Sequence, residues 1–222
     1  MYSKLVPVFF AFAGMSYANT NTGSSPLIYL DDNFGETRGL CLDIVGFGDT
    51  LDCAEPLHIH TCKRDPQDTQ FWFDGHNHRI KSVNFNSNCE EPVDDLDMAC
   101  ATVERGCSGS GCKVKLTNCR PNRQRQDFIL GLGGLIHLEQ NPNLCLGTVE
   151  GVNNATSGSG TQAFVKRELE MTRCDGDASL VTFHVIDSNG VECEVGKTCW
   201  LDSDCCDELV CDGSTCQNHM LT

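Results

Sequence analysis

Basic residues are scarce in this 222-residue chain: 16 Lys and Arg stand against 31 Asp and Glu, a formal net charge of -15. That balance argues against nucleic acid and anionic lipid as partners, since both attract proteins through Lys and Arg that displace counterions. Long apolar runs are few. After residue 18 no segment is apolar enough to insert into a membrane, and the closing QNHMLT lacks the hydrophobic tail of a lipid-anchor signal. Helical periodicity is missing too, because no window carries an apolar stripe long enough for a core helix. Catalytic signatures are absent: there is no G-x-S-x-G elbow, H-E-x-x-H helix or Gly-rich phosphate loop, and GLGG at Gly131 to Gly134 reads as a turn. A glycosidase needs two carboxylates facing across a cleft, and nothing singles out such a pair. The chain is therefore expected not to be an enzyme, and to need no cofactor or metal.

What the chain has in abundance is cysteine. Sixteen of them exceed what a cytosolic protein keeps reduced, which points to an oxidising compartment and a disulfide framework. The N-terminus agrees. Residues 1–18 combine Lys4, the apolar run LVPVFFAFAGM and the small-polar ending Ser16-Tyr17-Ala18, the pattern of a cleavable secretory signal. Residues 19–26 (NTNTGSSP) form a polar linker. A secreted, extracellular protein is expected. Asn154-Ala155-Thr156 is then an N-glycosylation acceptor, making Asn154 a glycan carrier.

From Leu27 to about Asp187 apolar residues come in short runs, LIYL, CLDIV, LHI, FWF, RIKSV, KVKL, FIL and others, separated by Gly, Asn and Asp. This is the rhythm of short strands and turns, so the fold class is all-β. A repeat is visible within it. Cys41, Cys53 and Cys62 match Cys100, Cys112 and Cys119, with the same eleven residues in the first gap. A glutamine and an aromatic two apart follow, Gln70 with Trp72 and Gln126 with Phe128. A looser third copy runs through Ile136, Cys145, the segment FVKRELEMTRC ending at Cys174, and Phe183. An alternative alignment opens the second copy at Cys89; the identical gap favours Cys100. Units this short cannot bury their own apolar faces, so the three must share one core.

The CLD motif at Cys41, the strand that ends in a cysteine and the Q-x-W at Gln70 to Trp72, in triplicate, resemble the ricin B-type lectin family, whose fold is the β-trefoil. The resemblance covers residues 27–187. It implies that Trp72, Phe128 and Phe183 anchor the common core, and that Cys41 pairs with Cys62, Cys100 with Cys119 and Cys145 with Cys174. Each such loop closure contributes roughly 3 kcal/mol through the unfolded state. Cys53, Cys89, Cys107 and Cys112 remain, with three possible connectivities. Cys107 with Cys112 and Cys53 with Cys89 is the preferred one.

Sugar recognition needs a carboxylate or amide to grip vicinal hydroxyls and a flat ring to cover the apolar sugar face. Mapped by the resemblance onto the first repeat, these are Asp43, His60, Thr69 and Gln70, with His58 on the same strand face as His60. The second repeat carries Thr102 and Thr117 at the acid and ring positions, and the third carries Gly147 and Thr172. Neither pair can grip and stack, so at most the first repeat is expected to bind sugar. Expected partners are thus glycans or glycoproteins. His58 and His60, like His76 and His78, have the spacing of a shared metal, but alternation on half-exposed strands explains them as simply. Lys113, Lys115, Arg120, Arg123 and Arg125 gather locally, either as a solvated face or as a patch able to meet a sulfated or acidic sugar. The acids Glu90, Glu91, Asp94, Asp95 and Asp97 read as a solvated loop.

Residues 188–222 change style, with six cysteines spaced C-x5-C-x5-CC-x4-C-x4-C. This resembles the inhibitor cystine knot, or knottin, which implies Cys193 with Cys206, Cys199 with Cys211 and Cys205 with Cys216. A module this small is held by its disulfides. Trp200 and Leu201 are its candidate contact residues. Two functions follow: a secreted carbohydrate-binding protein, or a protein-protein ligand, protease inhibitor or toxin acting through the knot on a trefoil scaffold.

Overall fold

The computed structural model describes residues 26–46, 52, 54–63, 69–82, 99–121, 123–149, 155–157, 164–186, 192–193, 195–197, 209–212 and 215–218. The chain is all-β. Its first four strands are β1 (Leu27–Leu30), β2 (Leu40–Asp43), β3 (His58–Thr61) and β4 (Phe71–Asp74). Four more follow as β5 (Arg79–Ser82), β6 (Ala99–Val103), β7 (Cys112–Asn118) and β8 (Phe128–Leu130). The third group is β9 (Ile136–Leu138), β10 (Asn141–Thr148), the short β11 (Ala155–Ser157), β12 (Phe164–Arg173) and β13 (Phe183–Ile186).

The pairing repeats with the sequence. In each group the first strand pairs with the second and the second with the third, as β1-β2-β3, β5-β6-β7 and β9-β10-β12. Each group hands over to the next by a hairpin, β4-β5 and β8-β9, and β13 returns to pair with β1. β12 also borders both β3 and β7, so the antiparallel sheet curls round a common interior. Alternation selects what enters it. Val114 and Leu116 on β7, and Leu169 and Met171 on β12, are buried between more exposed Lys113, Lys115, Glu168 and Glu170.

Four disulfides join described cysteines: Cys41–Cys62, Cys100–Cys119, Cys107–Cys112 and Cys145–Cys174. Three of them tie the second strand of a group to the residue after its third strand, the same place each time. The expected Cys53–Cys89 bridge and the glycosylation site at Asn154 lie outside the described residues, as do Trp200 and Leu201.

One core anchor is corrected. Trp72 is only half-buried, on the outer side of β4 with the Lys81 ammonium 5.5 Å from its ring centre, while Phe71 and Phe73 are buried at 0% and 1% exposure. The register explains why. Phe71 pairs with Ser82, Phe128 with Leu138 and Phe183 with Leu30, so in each case the strand's first residue faces its partner's last. Phe71 is thus the equivalent of Phe128 and Phe183. Aligning the first repeat on Trp72 is off by one residue, and in a strand one residue reverses the face.

A second correction concerns His76 and His78, which do not share a face of an extended segment. They lie in the turn of the β4-β5 hairpin, where the Asp74 carboxylate accepts the His76 and Asn77 N–H groups at 3.1 Å. His78 has φ of 54° and its Nδ1 stands 3.4 Å from Glu139.

The C-terminal residues are docked on the same core. β14 (Glu192–Cys193) adds to β13, while β15 (Leu209–Asp212) and β16 (Thr215–Asn218) form a hairpin. Cys193, Leu209 and Cys216 are buried in one cluster with the rest of the interior. Cys193 and Cys216 are both disulfide-bonded; each of the three knot pairings involves a cysteine outside the described residues.

His184 clasps this junction. Its Nε2 lies 2.7 Å from Asp31 Oδ1 beyond β1, its Nδ1 meets Glu192 of β14, and its ring stacks on Tyr29 at 4.8 Å. Burial pulls its pKa down, but the hydrogen bonds to Asp31 and Glu192 and their charges outweigh this, leaving it raised. The raised folded value means that the clasp stabilises fully below the unfolded pKa near 6.5 and is lost as pH rises through the folded value. Melting temperatures of wild type and His184→Gln should therefore converge as pH is raised above about 6.5 into the alkaline range. A gap that stays constant across that range would remove the clasp as a source of stability.

Candidate binding site on the first repeat

The β2-β3 register sets Asp43 opposite His58 and Cys41 opposite His60. Ile59 turns into the core, so alternation sends both imidazoles to the outer face, beside the Asp43 carboxylate. The Cys41–Cys62 disulfide holds the ends of the two strands together. Asp43 is completely buried. Lys63 Nζ donates to its Oδ2 at 3.0 Å, and His60 Nδ1 stands 3.6 Å from the same oxygen and 3.1 Å from the Thr61 carbonyl.

Aromatic contacts cover the histidines. His60 stacks on Phe164 with ring centres 5.4 Å apart, and the Arg38 guanidinium lies 5.0 Å over the other ring's centre. His58 meets His60 edge-on at 5.6 Å. Burial, then the charges of Lys166, His60 and Lys63, push the His58 pKa down to about 3, so it is a neutral imidazole at ordinary pH. Its Nδ1 is buried and makes no hydrogen bond among the described residues. His58 also lines a cavity of about 160 Å³ with Lys166, Glu168, Lys113, Glu55 and Pro56.

A polar brace stiffens this face. The Thr61 hydroxyl donates to Glu36 at 2.9 Å and accepts the Val165 N–H at 2.8 Å, joining the β1-β2 loop, β3 and β12. Arg38 holds both Glu36 oxygens, at 2.8 and 2.9 Å, and keeps that carboxyl at a pKa of about 2.

Of the five expected sugar residues, the structure groups Asp43, His58 and His60. Thr69 is wholly buried, with a hydroxyl that makes no hydrogen bond among the described residues, and Gln70 is half-buried. By the corrected register Thr69, two residues before Phe71, matches Gln126, two before Phe128. Gln70 is thereby displaced from the position expected of it. Lys63, Phe164 and Arg38 were not anticipated. Lys63 could have been found as the cation directly after Cys62. Phe164 could not, because it reaches His60 only through the pairing of β12 with β3.

The other two repeats differ at the same place. In the second, Gln126 Nε2 donates to Thr102 Oγ1 at 2.8 Å, to Thr117 Oγ1 at 3.0 Å and to the Asn118 carbonyl at 3.0 Å, while the two threonine hydroxyls are 2.7 Å apart. The third is plugged by α1 (Ala178–Val181), whose first turn is capped by Asp177 accepting the Ser179 N–H at 3.0 Å. A Cβ on Gly147 would lie 2.5 Å from Thr172 Cγ2 and 3.1 Å from the Leu180 carbonyl. A side chain at position 147 would therefore require Thr172, Val181 or the Leu180 backbone to shift.

No family model matches the chain, and no curated protein does. The site must be judged on its own chemistry. It offers a buried carboxylate shared by an ammonium and an imidazole, a neutral histidine beside a small cavity, and an aromatic ring at its rim. Such a set suits hydroxyl groups, which can donate to Asp43 and accept from Lys63 in one grip. Among the described residues no group of three His, Cys, Asp or Glu side chains could hold a metal ion.

Proposed function

We propose that this chain is a secreted carbohydrate-binding protein, a β-trefoil of ricin B type whose first repeat holds its neutral-sugar site. The observation that carries the reading is the β2-β3 register, which gathers Asp43, His58 and His60 on one face with Lys63 over the carboxylate. In the proposed complex a sugar diol replaces part of the Lys63 contact, and Phe164 with His60 supplies the apolar wall. Support for the trefoil comes from the threefold strand pairing and the threefold disulfide placement. Secretion is supported by the disulfides, which suit an extracellular protein.

The test is a glycan array probed with the full chain and with Asp43→Ala and Asp43→Asn. Losing a charge-assisted hydrogen bond to a buried acid corresponds to roughly 1.5–3 kcal/mol, so binding to neutral glycans should fall at least about tenfold in both variants. A chain that binds no glycan at all sinks the reading and turns attention to the C-terminal module as a ligand for another protein.

A further inference from the structure

The second repeat, where the acid has become Thr102, carries a cleft of about 430 Å³ lined by Arg105, Lys115, Arg123, Arg125, Glu104 and Thr117. Four cations against one carboxylate is a reversal of sign in a chain of net charge -15. We propose that this cleft binds a sulfate or carboxylate borne on an oligosaccharide, as a second subsite distinct from Asp43.

The arginines are placed by neutral oxygens. Arg125 Nη1 donates to the Val103 carbonyl at 2.6 Å, a bond that orients its guanidinium fork without neutralising it, and Arg123 Nη1 donates to the Thr117 hydroxyl at 3.1 Å. Lys115 stands opposite Thr102 on the β6-β7 ladder, which brings its ammonium to the same face. Among the described residues no carboxylate pairs with Arg105, Lys115 or Arg125. Lys113, one of the expected basic patch, is instead taken up by Glu168 at 2.6 Å and Glu170 at 3.5 Å. Glu104 Oε1 accepts the Lys113 N–H at 3.0 Å, which fixes that acid at the β6-β7 end.

The exchange of acid for threonine acquires a reason here. A carboxylate at position 102 would grip neutral hydroxyls but would repel an anion; the interlocked hydroxyls of Thr102 and Thr117 with Gln126 give the cleft an uncharged floor. A second cleft of about 560 Å³ shares Val103, Arg123 and Arg125 with the first and continues past Gln140 and Asn141. The two arginines thus stand between adjoining hollows. That extent suits several linked sugars rather than one free ion. A long phosphate polymer is disfavoured by the acidity of the whole chain, which repels it beyond the cleft.

The inference deepens the carbohydrate reading and rests on it for the sugar part of the ligand. Calorimetric titration of the full chain with a sulfated hexasaccharide, its desulfated counterpart and a neutral glycan tests both. Sulfated ligand should bind at least about tenfold more tightly than desulfated, and the preference should weaken with added salt. Exposed Arg105→Gln and Lys115→Gln should each weaken sulfated binding by about threefold to tenfold, and Arg123→Gln by more, while Lys197→Gln on the C-terminal module changes nothing. Neutral glycan bound without any sulfate preference overturns this inference and leaves the first-repeat site standing. Equal competition by a single-stranded oligonucleotide also overturns it, and the absence of binding to any glycan overturns both readings.

Discussion

Replacing Phe71 with alanine is expected to lower the stability of the fold by about 3–5 kcal/mol, whereas Trp72→Ala lowers it by only about 1 kcal/mol. The tryptophan is the larger residue, so size alone would give the opposite order. Burial decides it. Phe71 is wholly enclosed and occupies the position that Phe128 and Phe183 occupy in the other two repeats, so truncation opens a cavity at the common centre. Trp72 lies across from Lys81 on the outer face and loses a cation-aromatic contact and some surface cover. Urea denaturation of the two variants checks this. Equal losses, or a greater one for Trp72→Ala, would mean that the first repeat is anchored through its tryptophan.

Gly134→Ala is the second large effect, at about 2–5 kcal/mol from left-handed strain and overpacking together. Gly134 has φ of +75°, and a Cβ there would stand 2.3 Å from the Phe183 carbonyl oxygen and 3.2 Å from Thr182 Cγ2. That oxygen belongs to the backbone of β13, which cannot step aside without disturbing its pairing with β1. The neighbouring bridge between Leu135 and Thr182 shows how closely the two segments run. Gly133 supplies the control. It too is left-handed, with φ of +67°, yet a Cβ on it would meet nothing within 4 Å, so Gly133→Ala carries the strain alone. In thermal melts Gly134→Ala should fall well below Gly133→Ala, by several degrees for each kcal/mol of difference in a chain of this size. Matching melting temperatures would show that the turn can move away from β13.

The two substitutions probe the same interior from opposite sides. Phe71 and Phe183 fill it, and Gly134 lets the β8-β9 segment approach the strand that begins with Phe183. Both results also bear on the site, because β4, β3 and β2 share that interior and carry Thr69, His60 and Asp43 at their ends or outer faces. A ligand site built on such strands moves only if the packing moves.

Short apolar runs broken by Gly, Asn and Asp were sufficient to announce an all-β chain, and cysteine spacing was sufficient to align its repeats. That His58 and His60 share a face was equally legible, since strand alternation is local and survives any arrangement of neighbours, whereas the β2-β3 register is what sets Asp43 beside them. The tryptophan was not. Which of two adjacent aromatics faces inward depends on the pairing of β4 with β5, and a repeat alignment carries no information on that register once Gln and Trp happen to mimic the spacing of Gln126 and Phe128. The same holds for the lid of the site. Phe164 reaches His60 through a contact between segments remote in the chain, whereas Lys115, Arg123 and Arg125 already stood together in the sequence and the fold adds Arg105 to them and gives Lys113 to Glu168. Local sequence sets strand, face and charge; only packing brings distant side chains to one place, because their separation is fixed by the whole curled sheet and by no segment of it.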